Sequence, residues 1–279
     1  MTHPHGNDEL FALRSKEFKF LSAFLSSHTG IVLPDNKREM VRGRMVKRLR
    51  ALGLDDFKDY CALLEADPES ELEHVVNAIT TNITQFFREP HHFTLLTGEL
   101  KRLAARPGGP GRLRIWSAGC STGEEPYSIA MTLVDTLSPA QRRDALVLAT
   151  DIDTSVLDRA ARGRYSAQST QRLPPGYRRR FLGVEDEEGY LEIAEEVREC
   201  IRFRRLNRLE PWPMKGLFDV IFCRNVAIYF DKKTQLALVD RYANCLRPGG
   251  LLFLGHAESL IGVSERFDVA GKTAYRRLP

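Results

Sequence analysis

Residues 115–128, IWSAGCSTGEEPYS, hold the side chains best suited to chemistry. A short apolar run leads into Gly119-Cys120-Ser121-Thr122-Gly123, and a helix-like segment follows. Glycines at such a junction let the backbone turn sharply and come close to a ligand, with helix N–H groups facing it. A dinucleotide-binding loop would read G-x-G-x-x-G. Here the spacing is G-x-x-x-G, followed at once by Glu124 and Glu125. Two acids there repel a pyrophosphate and suit a ligand that carries positive charge, such as a sulfonium with an ammonium group. Further on, LVLATDID ends a second apolar run in Asp151 and Asp153. An acid at the end of a second strand can accept both hydroxyls of a ribose. A glycine turn alone is a common structural feature, and the two glutamates could serve only the helix N-terminus. The two elements together point to an adenosine-containing ligand without a pyrophosphate, for which S-adenosylmethionine is the natural candidate.

The elements that must position these residues follow a regular rhythm. LRIWSAG, LVLATDID, LFDVIFCRNV and LLFLGH read as buried strands. EEPYSIAMTLVDTL, TSVLDRAARG and KKTQLALVDRYANCL read as the helices between them, the last stopping at RPGG. Strands alternating with helices predict an α/β fold with a mostly parallel, doubly wound sheet. Residues 165–200 break the rhythm: they are polar, and GVEDEEGYLEI reads as a hairpin, so they form an insertion. Upstream, residues 10–95 read as helical. EFKFLSAFLSSHTGIVL opens with Phe18, Leu21 and Leu25 at helical spacing, and Asp35 can cap a second helix, NKREMVRGRMVKRLRALG. DFKDYCALLEA and SELEHVVNAITTNITQF follow, with a helix break expected at Pro90. The Gly- and Pro-rich stretch ARPGGPG marks a linker, placed over residues 96–112. The resulting plan is a helical domain over 10–95 and an α/β domain over 113–279 carrying the insertion.

The chain has 279 residues, 43% hydrophobic and 28% charged, with a net charge of +4. These values suit a globular protein with a sizeable core and exclude a strongly basic one. No apolar run approaches the ~20 residues of a membrane span, and the start, MTHPHGNDEL, lacks the apolar stretch of a secretory signal. The five cysteines are scattered without a CxxC pair, so neither a disulfide framework nor a metal site is expected. A cytoplasmic location is expected. One local charge imbalance stands out. Residues 37–50 carry Lys37, Arg38, Arg42, Arg44, Lys47, Arg48 and Arg50 against Glu39 alone. Val41, Met45, Leu49 and Leu52 supply a core-facing stripe. A charge run is usually a solvated face, but this imbalance points to an anionic partner.

The stretches GIVLPDNKREMVRGRMVKRLRALGLDDF, ITTNITQFFREPHHF, WSAGCSTGEEPYSIA, ATDIDTSVLDRA, FCRNVAIYFDKKTQ and LRPGGLLFLGHAESL occur in this order. In this the chain resembles the CheR family of chemotaxis receptor methyltransferases, from about residue 18 to its end. The resemblance implies a small all-helical N-terminal domain and a class I S-adenosylmethionine-dependent methyltransferase domain with an inserted β-subdomain. It implies methyl transfer from S-adenosylmethionine, leaving S-adenosylhomocysteine, to glutamate carboxylates on the cytoplasmic helices of methyl-accepting chemoreceptors.

The matched motifs imply roles for individual residues. Asn82, Thr84 and Arg88 reach the cofactor from the helical side, Gly119 forms part of its loop, and Glu125 meets its methionine or ribose end. Asp151 holds the ribose. Asn207 and Arg208 match an adenine-side Asn-Leu pair, so Arg208 would contribute through its backbone. Arg224 and Asn225 line the site, and Tyr229 lies near the reacting methyl. A glutamate with a pKa near ~4.3 is already ionised at neutral pH, so orientation is the main task. Arg88 or Arg224 could clamp the incoming carboxylate, with Arg88 and Tyr229 as the catalytic candidates. No general base is needed, which leaves His91, His92 and His256 a structural reading. Arg44, Lys47 and Arg48 are the candidates for steering an acidic acceptor. Two other readings share the cofactor: a nucleic-acid methyltransferase, for which the Asn/Asp-Pro-Pro-aromatic motif is missing, and a non-catalytic cofactor-sensing scaffold. Family members that dock on a receptor's C-terminal pentapeptide carry a Gly-rich loop with a nearby arginine. GVEDEEGYLEI is acidic and lacks that arginine, which argues against such a tether.

Overall fold

The computed structural model describes residues 11–109, 111–258, 260 and 264–279. The stretch MTHPHGNDEL and the first residue of the expected helical domain lie outside them. The described chain forms two compact units.

The first unit runs to Thr81 and takes in two later pieces of chain, Asn207–Leu209 and Tyr229–Asp231. It contains α1 (Ser15–Thr29), α2 (Arg38–Ala51), α3 (Phe57–Ala66) and α4 (Pro68–Ile79). Local chemistry sets their ends. Gly30 closes α1 in a left-handed conformation with φ of 75°, which a glycine adopts without steric cost. Asp56 caps α3 by accepting from the Asp59 N–H, and Asp67 caps α4 by accepting from the Ser70 N–H, with Pro68 at the first helical position. Asp35 does not cap α2. It begins a short 3-10 turn, Asp35–Lys37, that runs straight into the helix. The expected stripe is buried at Val41, Met45 and Leu49. The fourth helix stops at Ile79, short of the ITTNITQF extension read from the sequence.

The break expected at Pro90 is present, since residues 80–89 are not helical, and Pro90 starts a new helix. It occupies the first turn of α5 (Pro90–Ala104), which belongs to the second unit. Residues 96–104 are therefore helix, not linker, and the unit boundary falls at Thr81/Asn82.

The second unit contains α5, β1 (Leu113–Ala118), α6 (Glu124–Thr136), β2 (Ala145–Asp151), α7 (Thr154–Arg162), β3 (Arg164–Ser166), α8 (Tyr177–Phe181), β4 (Tyr190–Glu192), α9 (Glu195–Arg198) and β5 (Ile201–Arg205). It continues with β6 (Phe218–Cys223), α10 (Lys232–Cys245), β7 (Leu246–Leu254), β8 (Phe267–Gly271) and β9 (Ala274–Arg277). Seven strands form one sheet in the order β5-β2-β1-β6-β7-β9-β8. The first five run parallel, and β9 lies antiparallel between β7 and β8. Every residue of β6 is buried, as a central parallel strand covered on both faces requires. The order reverses at β1, with β2 on one side and β6 on the other. Ligands in open α/β sheets bind beyond the carboxyl ends of strands at such a reversal.

The insertion is a small sheet in which β3 pairs antiparallel with β4. The hairpin read at GVEDEEGYLEI is present: the Asp186 N–H donates to the Tyr190 carbonyl and the Gly183 N–H to the Glu192 carbonyl, each at 2.8 Å. Three of its acids have arginine partners, Arg164 on Asp186 and Glu188, and Arg178 on Glu185.

Candidate functional site

Within the second unit, the glycine loop links the carboxyl end of β1 to α6. Gly119 and Gly123 have φ of 113° and 99°, and Ser121 is also left-handed at 49°. A Cβ on Gly123 would lie 2.5 Å from the Tyr165 hydroxyl and 2.9 Å from the Ala160 Cβ, so both conformation and space require glycine there. The N–H groups of Gly119 and Cys120 donate to the Thr150 carbonyl, tying the loop to the end of β2.

Asp151 closes β2 and is buried. Its carboxylate accepts from the Ser121 N–H at 2.8 Å and the Asp153 N–H at 3.1 Å. Each oxygen keeps a lone pair for a further donor. Asp153 caps α7 through the N–H groups of Ser155 and Val156 and accepts from the Asn82 side-chain amide at 2.7 Å. The Ser121 hydroxyl donates to the Asn82 carbonyl. Asn82, the glycine loop and both aspartates are thus one hydrogen-bonded assembly. The donor set fits an adenosine-bearing ligand, with an anchored carboxylate at the strand end and a glycine loop beside it.

The two glutamates after the loop also have partners within the chain. The Glu124 carboxyl is buried, accepts from the Thr122 hydroxyl, and has its pKa raised by that burial. Glu125 accepts from the Ser117 hydroxyl on one oxygen and from Arg224 Nε on the other, each at 2.7 Å. The cation it faces is therefore a guanidinium of the same chain. Arg224 follows β6, has a side chain 2% exposed, lies 3.7 Å from Glu89 and also donates to the Arg88 carbonyl. Held by two carboxylates and a carbonyl, it is not placed to clamp an incoming acid.

Arg88 is half-buried. Its guanidinium donates to the Ile83 carbonyl at 3.0 Å and makes no other hydrogen bond among the described residues, which leaves most of its fork for an anion. Thr84 is half-buried on the same segment. Phe87 and Glu89 flank Arg88 with φ of 51° and 58°, strain of the kind that accumulates at functional sites.

Next to Arg224, Glu89, His91 and His92 bring one potential metal-ligand atom each to within 4.8 Å of one another. His92 is fully buried, with Nε2 against the Thr273 hydroxyl and the Lys272 carbonyl. Burial, then the positive charge of Arg224, push its pKa down to about 3. Glu89 Oε2, His91 Nε2 and His92 Nδ1 have no hydrogen-bond partner. The Arg224 guanidinium supplies the positive charge at this cluster.

Asn225 is left-handed, with φ of 59°, and its backbone is held by a residue to which the sequence reading assigned nothing. Glu258, buried, accepts from the N–H groups of Asn225, Val226, Ala227, Ile228 and Gly255 at 2.6–3.3 Å. The only sequence signal for it is its place in LGHAESL, after the last parallel strand.

The remaining candidates belong to the first unit. Asn207 donates its side-chain amide to the His28 carbonyl at 2.7 Å, and Arg208 beside it is buried. Tyr229 is half-buried, and its carbonyl accepts from the Val32 N–H. The basic helix α2 is less free than its composition suggested. Arg44 donates to the Ile79 and Thr80 carbonyls and the Thr81 hydroxyl, closing the end of α4. Arg48 grips the buried Glu71 with two nitrogens, and Tyr60 donates to the same carboxylate. Lys47 and Arg50 are the exposed cations of this helix, and Lys37 is exposed in the turn before it.

Residues 82–276 match the family described as CheR methyltransferase, SAM binding domain, and residues 16–80 match CheR methyltransferase, all-alpha domain. The chain is 44% identical over 271 residues to a chemotaxis protein methyltransferase of Escherichia coli, covering 96% of this chain and 92% of that one. It is 44% identical over 268 residues to the chemotaxis protein methyltransferase of Salmonella typhimurium, covering 95% and 91%. It is 43% identical over 273 residues to chemotaxis protein methyltransferase 2 of Pseudomonas aeruginosa, covering 97% and 95%. With both halves of the chain matched, the chain belongs to the CheR family of S-adenosylmethionine-dependent chemotaxis methyltransferases.

Proposed function

We propose that the acceptor is the side-chain carboxylate of glutamates on chemoreceptor cytoplasmic helices, methylated in the cytoplasm to give glutamate methyl esters. The observation that carries this reading is that several carboxylates around the site are already held by partners in the chain. Glu125 is paired with Arg224, Asp153 caps a helix, Glu258 holds five N–H groups, and His92 is buried with a pKa of about 3. An acceptor that is ionised at neutral pH needs no base to activate it, and a glutamate is such an acceptor. S-adenosylmethionine, when bound, supplies an electrophilic methyl group. Asp151 would hold its ribose, with Asn82, Thr84, Gly119 and Asn225 completing its surroundings. Arg88 would clamp the incoming carboxylate. Glu125 and Arg224 act as a buried pair that fixes the loop to the end of β6.

A second observation narrows the acceptor surface. Since Arg44 and Arg48 hold the first unit together, steering falls to Lys37, Lys47 and Arg50. These three cations also favour an acidic protein helix over a polyanionic nucleic acid, which would draw on a larger basic face. The test is transfer of labelled methyl groups to a receptor cytoplasmic fragment. Wild type should form base-labile methyl esters on glutamates. Arg88→Ala should lower kcat/KM by about 10–100-fold, the loss of a charge-assisted hydrogen bond worth roughly 1.5–3 kcal/mol. Reversing Lys37, Lys47 and Arg50 should slow transfer only at low salt, because exposed charges are screened over about 8–10 Å. Absence of ester formation on any receptor fragment, or label recovered in nucleic acid, would overturn this assignment.

A further inference from the structure

We infer that Glu258 is a positioning residue for methyl transfer, acting through the backbone of residues 225–228. The carboxylate sits in the turn after β7 and collects five backbone N–H groups. Val226, Ala227 and Ile228 donate to one oxygen at 2.9, 2.6 and 3.3 Å, and Asn225 and Gly255 donate to the other at 2.9 and 2.7 Å. Successive N–H groups converging on one anion form a backbone nest. Here the anion is part of the chain, so the nest is permanently filled.

Two consequences follow. First, the strand-end loop cannot offer those N–H groups to an incoming acceptor carboxylate. Recognition at this point is left to side chains, and the Ala227 carbonyl is likewise taken, by the Gln235 amide at 2.8 Å. Secondly, Asn225 is forced into its left-handed conformation from two directions. Glu258 holds its N–H, and Gly255 packs so closely that a Cβ there would lie 2.5 Å from Asn225 Nδ2 and 2.8 Å from its backbone nitrogen. The turn 255–258 is thus a template against which the loop leading to Tyr229 is moulded. Displacing a reacting group by about 1 Å can cost on the order of 100-fold in rate, so a mould of this kind acts on turnover.

The inference rests on the reading of residues 224–229 as part of the methyl-transfer site. Glu258→Gln keeps the side-chain volume but turns one oxygen into an NH₂, which must then face N–H groups. The measurements are steady-state methylation of a receptor fragment at saturating substrates, calorimetric binding of S-adenosylhomocysteine, and the thermal midpoint, all on the full chain. In folded protein, kcat is expected to fall at least ~10-fold or product affinity at least ~3-fold. A variant that loses only thermal stability, with both quantities unchanged, makes Glu258 a structural carboxylate and overturns the inference. Should Glu258→Gln fail to fold, Gly255→Ala presses on Asn225 from the other side and is judged by the same criteria. If wild type esterifies no receptor fragment, the acceptor assignment falls, while S-adenosylhomocysteine binding by the variants still decides the role of Glu258.

Discussion

Each unit buries an arginine–carboxylate pair, and the two pairs differ in how completely their surroundings are satisfied. In the helical unit, Arg48 and Tyr60 converge on Glu71. Burial alone would raise the Glu71 pKa, but the hydrogen bonds from Arg48 and Tyr60 outweigh it and hold the carboxyl below its ordinary value. In the second unit, Arg224 lies between Glu125 and Glu89, and Glu89 Oε2, 3.3 Å from His92 Nδ1, makes no well-formed hydrogen bond with it. Backbone strain divides in the same way. The left-handed non-glycine residues among those described are Phe87, Glu89, Ser121, Asn225 and Thr273, and all lie in the second unit. A satisfied pair on regular helices is a stability device. A pair set among strained backbone and unmatched polar atoms marks a region shaped for function at some expense of stability.

The contrast can be broken most forcefully at Arg224. Arg224→Met would leave Glu125 and Glu89 buried without a cation, which costs about 3–5 kcal/mol. Urea denaturation should show that loss, and methyl transfer should disappear. A variant with near wild-type stability and activity would show that the pair organises nothing.

Arg48→Met tests the other side. Removing its charged hydrogen bonds should destabilise the helical unit by roughly 1.5–3 kcal/mol, visible as faster amide exchange over residues 38–79. The intrinsic affinity of the second unit for S-adenosylhomocysteine should stay unchanged. A matching loss of affinity would show that the basic helix serves the cofactor site, contrary to the division drawn here.

The smallest effect is a slope. His92 has a folded-state pKa of about 3, below its ordinary value of 6.5. Between those values the unfolded chain binds the proton and the folded chain does not. The contribution of neutral His92 is therefore fully present above pH 6.5 and is lost as pH falls from 6.5 towards 3. His92→Asn should flatten the dependence of unfolding free energy on pH across that window. An unchanged slope would mean that His92 is protonated in the folded protein, with Glu89 as its counter-ion.

Much of this architecture is visible in local sequence. Continuous apolar runs such as FDVIFC become buried parallel strands, and the Gly119–Gly123 spacing becomes a left-handed turn because glycine adopts positive φ without steric cost. Pro90 shows where local reading turns ambiguous. The same ring that ends a helix also suits a first turn, and the neighbouring residues do not say which.

The sequence by itself determined the cofactor loop, the strand-end acid Asp151 and the alternation of strands with helices, because each depends on near neighbours in the chain. It also marked which residues are charged. Only the tertiary structure decided what those charges do. Glu125 meets Arg224 across 99 positions, Asn82 meets Asp153 across 71, and Glu258 collects N–H groups about 30 positions upstream. Such partners are set by strand order and loop placement, which bring distant segments together and decide whether a buried carboxylate faces a cation, a nest of N–H groups or a ligand.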